Sequence, residues 1–169
     1  MDNSRVMNLI RQRQSDSSNV IGYTEYELKK IEALYNISIN GQFRDFMLLA
    51  GRCSGGILND DPIILYRPSW SVRTQIMFQS KLFDELQSIG AFDFLGKIFC
   101  FSLESETQYY FLITKKMNDL VYHYNENTEK VECTNLNFFE YLDVVYKEYE
   151  ENLNREQIIC RGELLEIFV

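Results

Sequence analysis

The chain has 169 residues, 46% of them apolar, with 12 Phe and 11 Tyr, so it holds ample material for one packed domain and is too aromatic for a disordered chain. Seventeen Lys and Arg stand against 25 Asp and Glu, a formal net charge of -8, and the densest basic stretch, residues 5–13, has only three Arg. Phosphate backbones are gripped by clustered Lys and Arg that displace counterions, so this balance speaks against a nucleic-acid partner and for long-range attraction toward a basic protein.

Residues 1–22 are rich in Ser, Asn, Gln and Arg and read as a polar N-terminal extension containing at most a frayed helix. The first defined element starts at Thr24. Thr24-Glu25-Tyr26-Glu27 has capping-box spacing, Tyr23 and Leu28 are placed as a hydrophobic staple, and Leu28, Ile31 and Leu34 or Tyr35 form one apolar face. Asn36 stops this helix. A second helix is expected over 40–50, where Phe43, Phe46, Met47 and Ala50 recur at i, i+3, i+4 and i+7, with Gly51 in the left-handed C-terminal position. Gly55 and Gly56 read as a structural turn; they are no phosphate loop, because no Gly-Lys-Ser/Thr follows. Residues 62–66 read as a short buried strand with Pro62 at its first position. A third helix is expected over 72–88, with Ile76, Met77, Phe83 and Leu86 turned inward and Gly90 closing it.

From residue 97 the period changes. Residues 98–103, 109–114 and 120–124 are aromatic and β-branched and are separated by polar turns, and 125–128 turn into a further short strand ending near Cys133. Such a meander pairs antiparallel. A last helix begins near Asn137, where Asn137 and Glu140 again have capping-box spacing. Phe138, Leu142, Val145 and Tyr149 would face inward, and Glu148, Glu150 and Glu151 would face water. The fold class is therefore α+β, a single domain with a mainly antiparallel sheet flanked by about four helices. Residues 23–150 make the domain, and 151–169 form a C-terminal extension apolar enough to pack on it.

The side chains that carry chemistry are sparse. Cys53, Cys100, Cys133 and Cys160 form no Cys-x-x-Cys pair and read as reduced thiols, and a single histidine, His123, excludes a His-rich metal site. His123 lies in a strand with no Ser or Cys motif around it, and the carboxylates form no recognisable catalytic arrangement, so neither enzyme activity nor a cofactor is expected. The apolar run 6–10 is too short for a signal peptide and is flanked by arginines, and nothing approaches the ~18 apolar residues a membrane helix requires. A cytoplasmic location away from membranes is expected.

Several motifs, in order, resemble the SUKH superfamily, which includes fungal cell-wall assembly regulators and many bacterial immunity proteins. They are the acidic helix over 24–35, Ile39-Asn40-Gly41-Gln42-Phe43-Arg44-Asp45-Phe46, the turn Ser54-Gly55-Gly56, Val121-Tyr122-His123-Tyr124, and Phe138-Phe139-Glu140-Tyr141-Leu142. The chain departs from the family pattern at Asn40, where a proline is usual, and at Ser54, where an asparagine is usual. The resemblance implies an immunity protein that binds and neutralises a polymorphic toxin, for instance a nuclease, or else a regulatory scaffold like the fungal members. Solvent-facing carboxylates are the expected contacts for such a basic partner: Asp60 and Asp61 beyond the Gly-Gly turn, and Glu104 and Glu106 between two strands. Trp70 or Tyr110 would supply the buried aromatic anchor.

Overall fold

The stretch from residue 98 onward is dominated by aromatic and β-branched side chains, and in the computed structural model it forms the sheet on which everything else packs. The structure describes residues 4–16, 19–58, 62–150 and 161–166, the side chain of Tyr149 excepted. In chain order the elements are α1 (Arg5–Asp16), β1 (Val20–Ile21), α2 (Glu25–Tyr35), α3 (Gly41–Ala50), β2 (Cys53–Ser54) and α4 (Val72–Ser88), then β3 (Ile98–Glu104), β4 (Gln108–Ile113), β5 (Leu120–Asn125), β6 (Lys130–Asn137) and α5 (Phe138–Glu150). The last four strands pair antiparallel in sequence order, and β1 pairs with β2 in a small second sheet. The protein is an α+β single domain.

Both faces of the four-stranded sheet are covered. Phe99, Phe101, Leu112 and Val121 point into a core built with α1, α2, α3 and α5. Ile98, Cys100, Tyr109, Phe111, Ile113, Tyr122 and Tyr124 point into a second core under α4. Phe138, at the start of α5, joins the first core: its ring meets Phe43 and Phe46 at 5.4 Å and Phe101 at 4.9 Å, all edge-on. Burial of each such ring contributes about 1.5–3 kcal/mol.

Helix starts follow local sequence. Thr24 Oγ1 accepts from Glu27 N while Glu27 returns the bond to Thr24 N, and Asn36 ends α2 in the left-handed conformation with φ 53°. Asn137 and Glu140 cap α5 reciprocally at 3.0 and 2.9 Å. Tyr35, with its ring edge-on to Phe99, completes the inward face of α2, and Leu34 is turned out.

Four expectations are corrected. Residues 5–16 form a helix of the main core, with Val6, Met7 and Ile10 fully buried. The reason lies far away in the chain: Asp143 of α5 accepts from Val6 N at 2.8 Å, from Arg5 N at 3.2 Å and from Ser4 Oγ at 2.9 Å, and so caps α1. Residues 62–66 make no strand. Ile63 forms a single bridge to Ser102 and the chain then coils as a 3-10 turn over Ile64–Tyr66, because a run apolar at every position suits a buried turn as well as a strand. On α4 the inward stripe is Val72, Gln75, Leu82 and Leu86, whereas Met77 is 64% exposed and Phe83 40%. Two glutamines make that stripe effective: Gln75 donates to Ile64 O, and Gln79 bonds both the N–H and the C=O of Cys100 at 2.7 Å. Gly51 is right-handed (φ -60°). Glycine is needed there because a Cβ would fall 2.7 Å from Met47 O and from the Tyr23 ring.

The expected buried face of α5 holds for Phe138, Leu142 and Val145. Tyr149, Glu151, Cys160 and most of the apolar tail lie outside the described residues. Within 161–166, Leu164 is fully buried and its N–H donates to Tyr23 Oη at 2.8 Å, while Gly162 N donates to Arg52 O at 2.8 Å. Arg52 is the hub of this contact. Its guanidinium meets Glu27 at 3.2 Å and Glu163 at 3.0 Å and covers the Tyr23 ring at 4.5 Å, with only 11% of its side chain exposed. Burial on its own pushes the Glu27 carboxyl up, but the Thr24 N–H and hydroxyl and the Arg52 charge outweigh it and hold Glu27 below the usual range. Replacing Arg52 with Ala strands the buried Glu27 carboxylate and should lower the unfolding free energy by about 3 kcal/mol in urea titration, with m unchanged.

Candidate functional site: a half-buried carboxylate beneath the last helix

Alternation along β3 is broken once. Cys100 pairs with Phe111 but Ser102 pairs with Tyr110, a bulge that turns both Phe101 and Ser102 toward α5. Two residues later Glu104 therefore also points to the α5 face. Without the extra residue Ser102 and Glu104 would have faced α4.

The bulge assembles a chain of hydroxyls. Ser102 Oγ and Tyr141 Oη are 2.7 Å apart, Tyr141 donates to Glu104 Oε1 at 3.1 Å, and Tyr110 donates to Glu104 Oε2 at 3.4 Å. Tyr110 lies between two rings, with His123 stacked at 4.8 Å and Tyr141 at 4.9 Å. His123 in turn places Nε2 2.8 Å from Gln108 Oε1 and Nδ1 3.6 Å from Glu132 Oε1. Burial pushes the Glu104 carboxyl up; the Tyr141 hydrogen bond works against this, and the charge of Glu148 adds to it. Burial and the Glu104 charge push the Tyr110 hydroxyl up to about 12, and burial pushes the Tyr141 hydroxyl well above the usual phenol range.

A different electrostatic arrangement occupies the other face. Tyr109 donates to Glu126 at 2.7 Å and accepts from Lys81 at 3.0 Å, and Lys81 reaches Glu126 at 3.3 Å. The Tyr109 hydrogen bond, with Lys81 beside it, holds the Glu126 carboxyl down. The carboxylate on the α4 side thus carries its own cation, while the one on the α5 side rests on tyrosine hydroxyls next to a further acid.

The expected contact residues are not gathered at one place. Glu106 is exposed at the β3–β4 turn, as anticipated, but Glu104 is half-buried and hydrogen-bonded rather than solvent-facing, because the bulge turns it under α5. Trp70 is half-buried on the opposite side of the sheet, with the Arg67 guanidinium over its ring at 5.0 Å and Phe78 at 5.0 Å. Asp60 and Asp61 lie outside the described residues. Tyr141, Gln108 and Glu132 belong to the site and carry no sequence signal of that role; Tyr110 was the only aromatic neighbour anticipated. Among the described residues no group of three or more His, Cys, Asp or Glu side chains is placed to hold a metal ion, and no helix is long and apolar enough to cross a membrane. No family model, no curated protein and no solved structure matches the chain.

The arrangement has two chemical capacities. Ionised, Glu104 offers a partly desolvated negative charge to a cation arriving at the β3–β4 end of the sheet; protonated, it can donate a hydrogen bond. Its raised value also sets a pH dependence. The unfolded chain releases this proton at lower pH than the folded one, so the contribution of Glu104 to stability is complete below the unfolded value and is lost as pH rises through the folded value. In thermal melts from about pH 4 to pH 7, Glu104→Gln should therefore lack this loss and be the more stable protein near neutrality.

Proposed function

We propose that this chain is a protein-binding domain of SUKH type, acting as an immunity protein that docks on a polymorphic toxin. The basic side chain it receives enters beside Glu104 and Glu106, at the β3–β4 turn. A nuclease toxin, basic where it grips its substrate, is the class that fits a partner of net charge -8. The observation that carries the reading is the state of Glu104. Its ionised form is disfavoured in the free protein by burial and by Glu148, so an arriving Lys or Arg recovers more free energy there than at an ordinary surface carboxylate. Its side chain is also held ready by Tyr110 and Tyr141, which lowers the ordering cost of binding. The SUKH-like motifs over residues 24–142 support the same reading, and Tyr110 and Tyr141, both partly or largely buried, supply the aromatic surroundings that interface anchors favour.

Co-expression with a toxin encoded beside this chain tests the proposal. A stable complex and restored growth are expected; no complex and no rescue would overturn it. Within a complex, Glu104→Gln should raise Kd roughly 30-fold or more, mostly through faster dissociation. Glu106→Lys should slow association, most visibly at low salt.

A further inference from the structure

The two edges of the main sheet are treated differently. The outer edge of β3 is occupied along much of its length: Gln79 bonds both backbone groups of Cys100, Ile63 bridges Ser102, Leu103 N donates to Pro62 O at 2.9 Å, and Arg67 donates to Leu103 O at 3.1 Å. At the outer edge of β6, by contrast, no strand or side chain among the described residues pairs with the backbone of residues 130–133. An open edge is a template for another strand, and proteins normally block it.

The side chains on this edge are self-complementary. Lys130 and Glu132 lie on the α5 face, opposite Asn125 and His123 of β5, and both are exposed. Val131, opposite Tyr124, lies on the α4 face. If a second β6 runs antiparallel with Val131 opposite its counterpart, each Lys130 falls directly opposite the other copy's Glu132. Register and charge then agree at two symmetric positions. A second observation points to the same place. On the α4 face next to Val131 an open groove of about 410 Å³ is lined by Ile89, Phe92 and Phe94 together with the carboxylates Asp93 and Glu129 at its rim, and Phe92 is 66% exposed, one of the most exposed large apolar residues described. A second copy seated on β6 would cover both the free backbone and the exposed Phe92 ring, which the described residues leave uncovered.

We propose that two copies of this chain pair through the outer edges of β6, antiparallel and centred on Val131, into one continuous sheet with four strands from each copy. Phe92 and Val131 pack beneath the joint, and Lys130 and Glu132 pair across it. The contact is short, about five residues on each side, so it belongs with the small, reversible interfaces, which bury less than ~1,200 Å². It uses neither Glu104 nor Glu106; it shares with the candidate site only Glu132, through its contact to His123, and does not rest on the toxin-binding reading.

Sedimentation equilibrium of the full chain over a range of concentrations tests this. The wild-type chain should populate a dimer as concentration rises. Glu132→Lys sets Lys against Lys at both symmetric positions and should weaken the dimer about tenfold or more. The double variant Lys130→Glu with Glu132→Lys should restore it. Both variants lose the Glu132–His123 contact equally, so restoration isolates the pair between copies, and circular dichroism verifies that each is folded. A wild-type chain that stays monomeric throughout, a single variant that dimerises as well as wild type, or a folded double variant that does not recover overturns the proposal.

Discussion

Burial of a four-stranded sheet on both faces is the constraint from which the rest of the structure follows. Strands β3 to β5 carry almost no polar alternation because Phe99, Phe101, Leu112 and Val121 serve one core while Phe111, Ile113, Tyr122 and Tyr124 serve the other. Helices on both sides must then supply apolar surface, and buried polar groups mostly find partners, with Tyr35 Oη and Gln75 Oε1 as exceptions among the described residues. Gln79 is fully engaged. It sits on the inward side of α4 because its amide replaces a missing strand at Cys100.

Under that constraint a single bulge has large consequences. One extra residue between Cys100 and Ser102 turns a serine and a glutamate beneath α5, where hydroxyls of Tyr110 and Tyr141 receive them. The fold tolerates Glu104 there at a cost in stability near neutral pH, since burial and Glu148 both disfavour its charge. Groups held in a state the fold disfavours concentrate at places where proteins bind or react, which is why the β3–β4 end of the sheet is the candidate site. On the opposite face Glu126 is neutralised locally by Lys81 and Tyr109, and the same physical logic reads it as structural.

Much of the architecture was legible from residues close together in the chain. The capping boxes at Thr24 and Asn137 each involve groups within three positions, the stop at Asn36 is a local backbone preference, and the meander from residue 98 follows from β-branched and aromatic runs divided by polar turns. What failed did so for identifiable reasons. Ile76, Met77, Phe83 and Leu86 formed the more apolar stripe of α4, yet the helix turned Val72, Gln75, Leu82 and Leu86 inward, since the glutamines found backbone partners that hydrophobicity does not count. Of the candidate site, Glu104, Glu106 and Tyr110 were legible as an acidic turn near an aromatic strand, but their spatial relation to Tyr141, His123 and Glu132 was not.

Sequence alone determined where α2 to α5 and the strands of the main sheet begin, their order, the antiparallel class of that sheet and the acidic balance, because each depends on short-range periodicity, capping or composition. Tertiary structure decided that Asp143 caps α1, that Arg52 ties residues 161–166 to α2 through Glu163 and Glu27, and that Glu104 lies under α5 while Trp70 lies behind the sheet. These outcomes rest on groups far apart in the chain, and their free energies exist only once burial has removed water from between them.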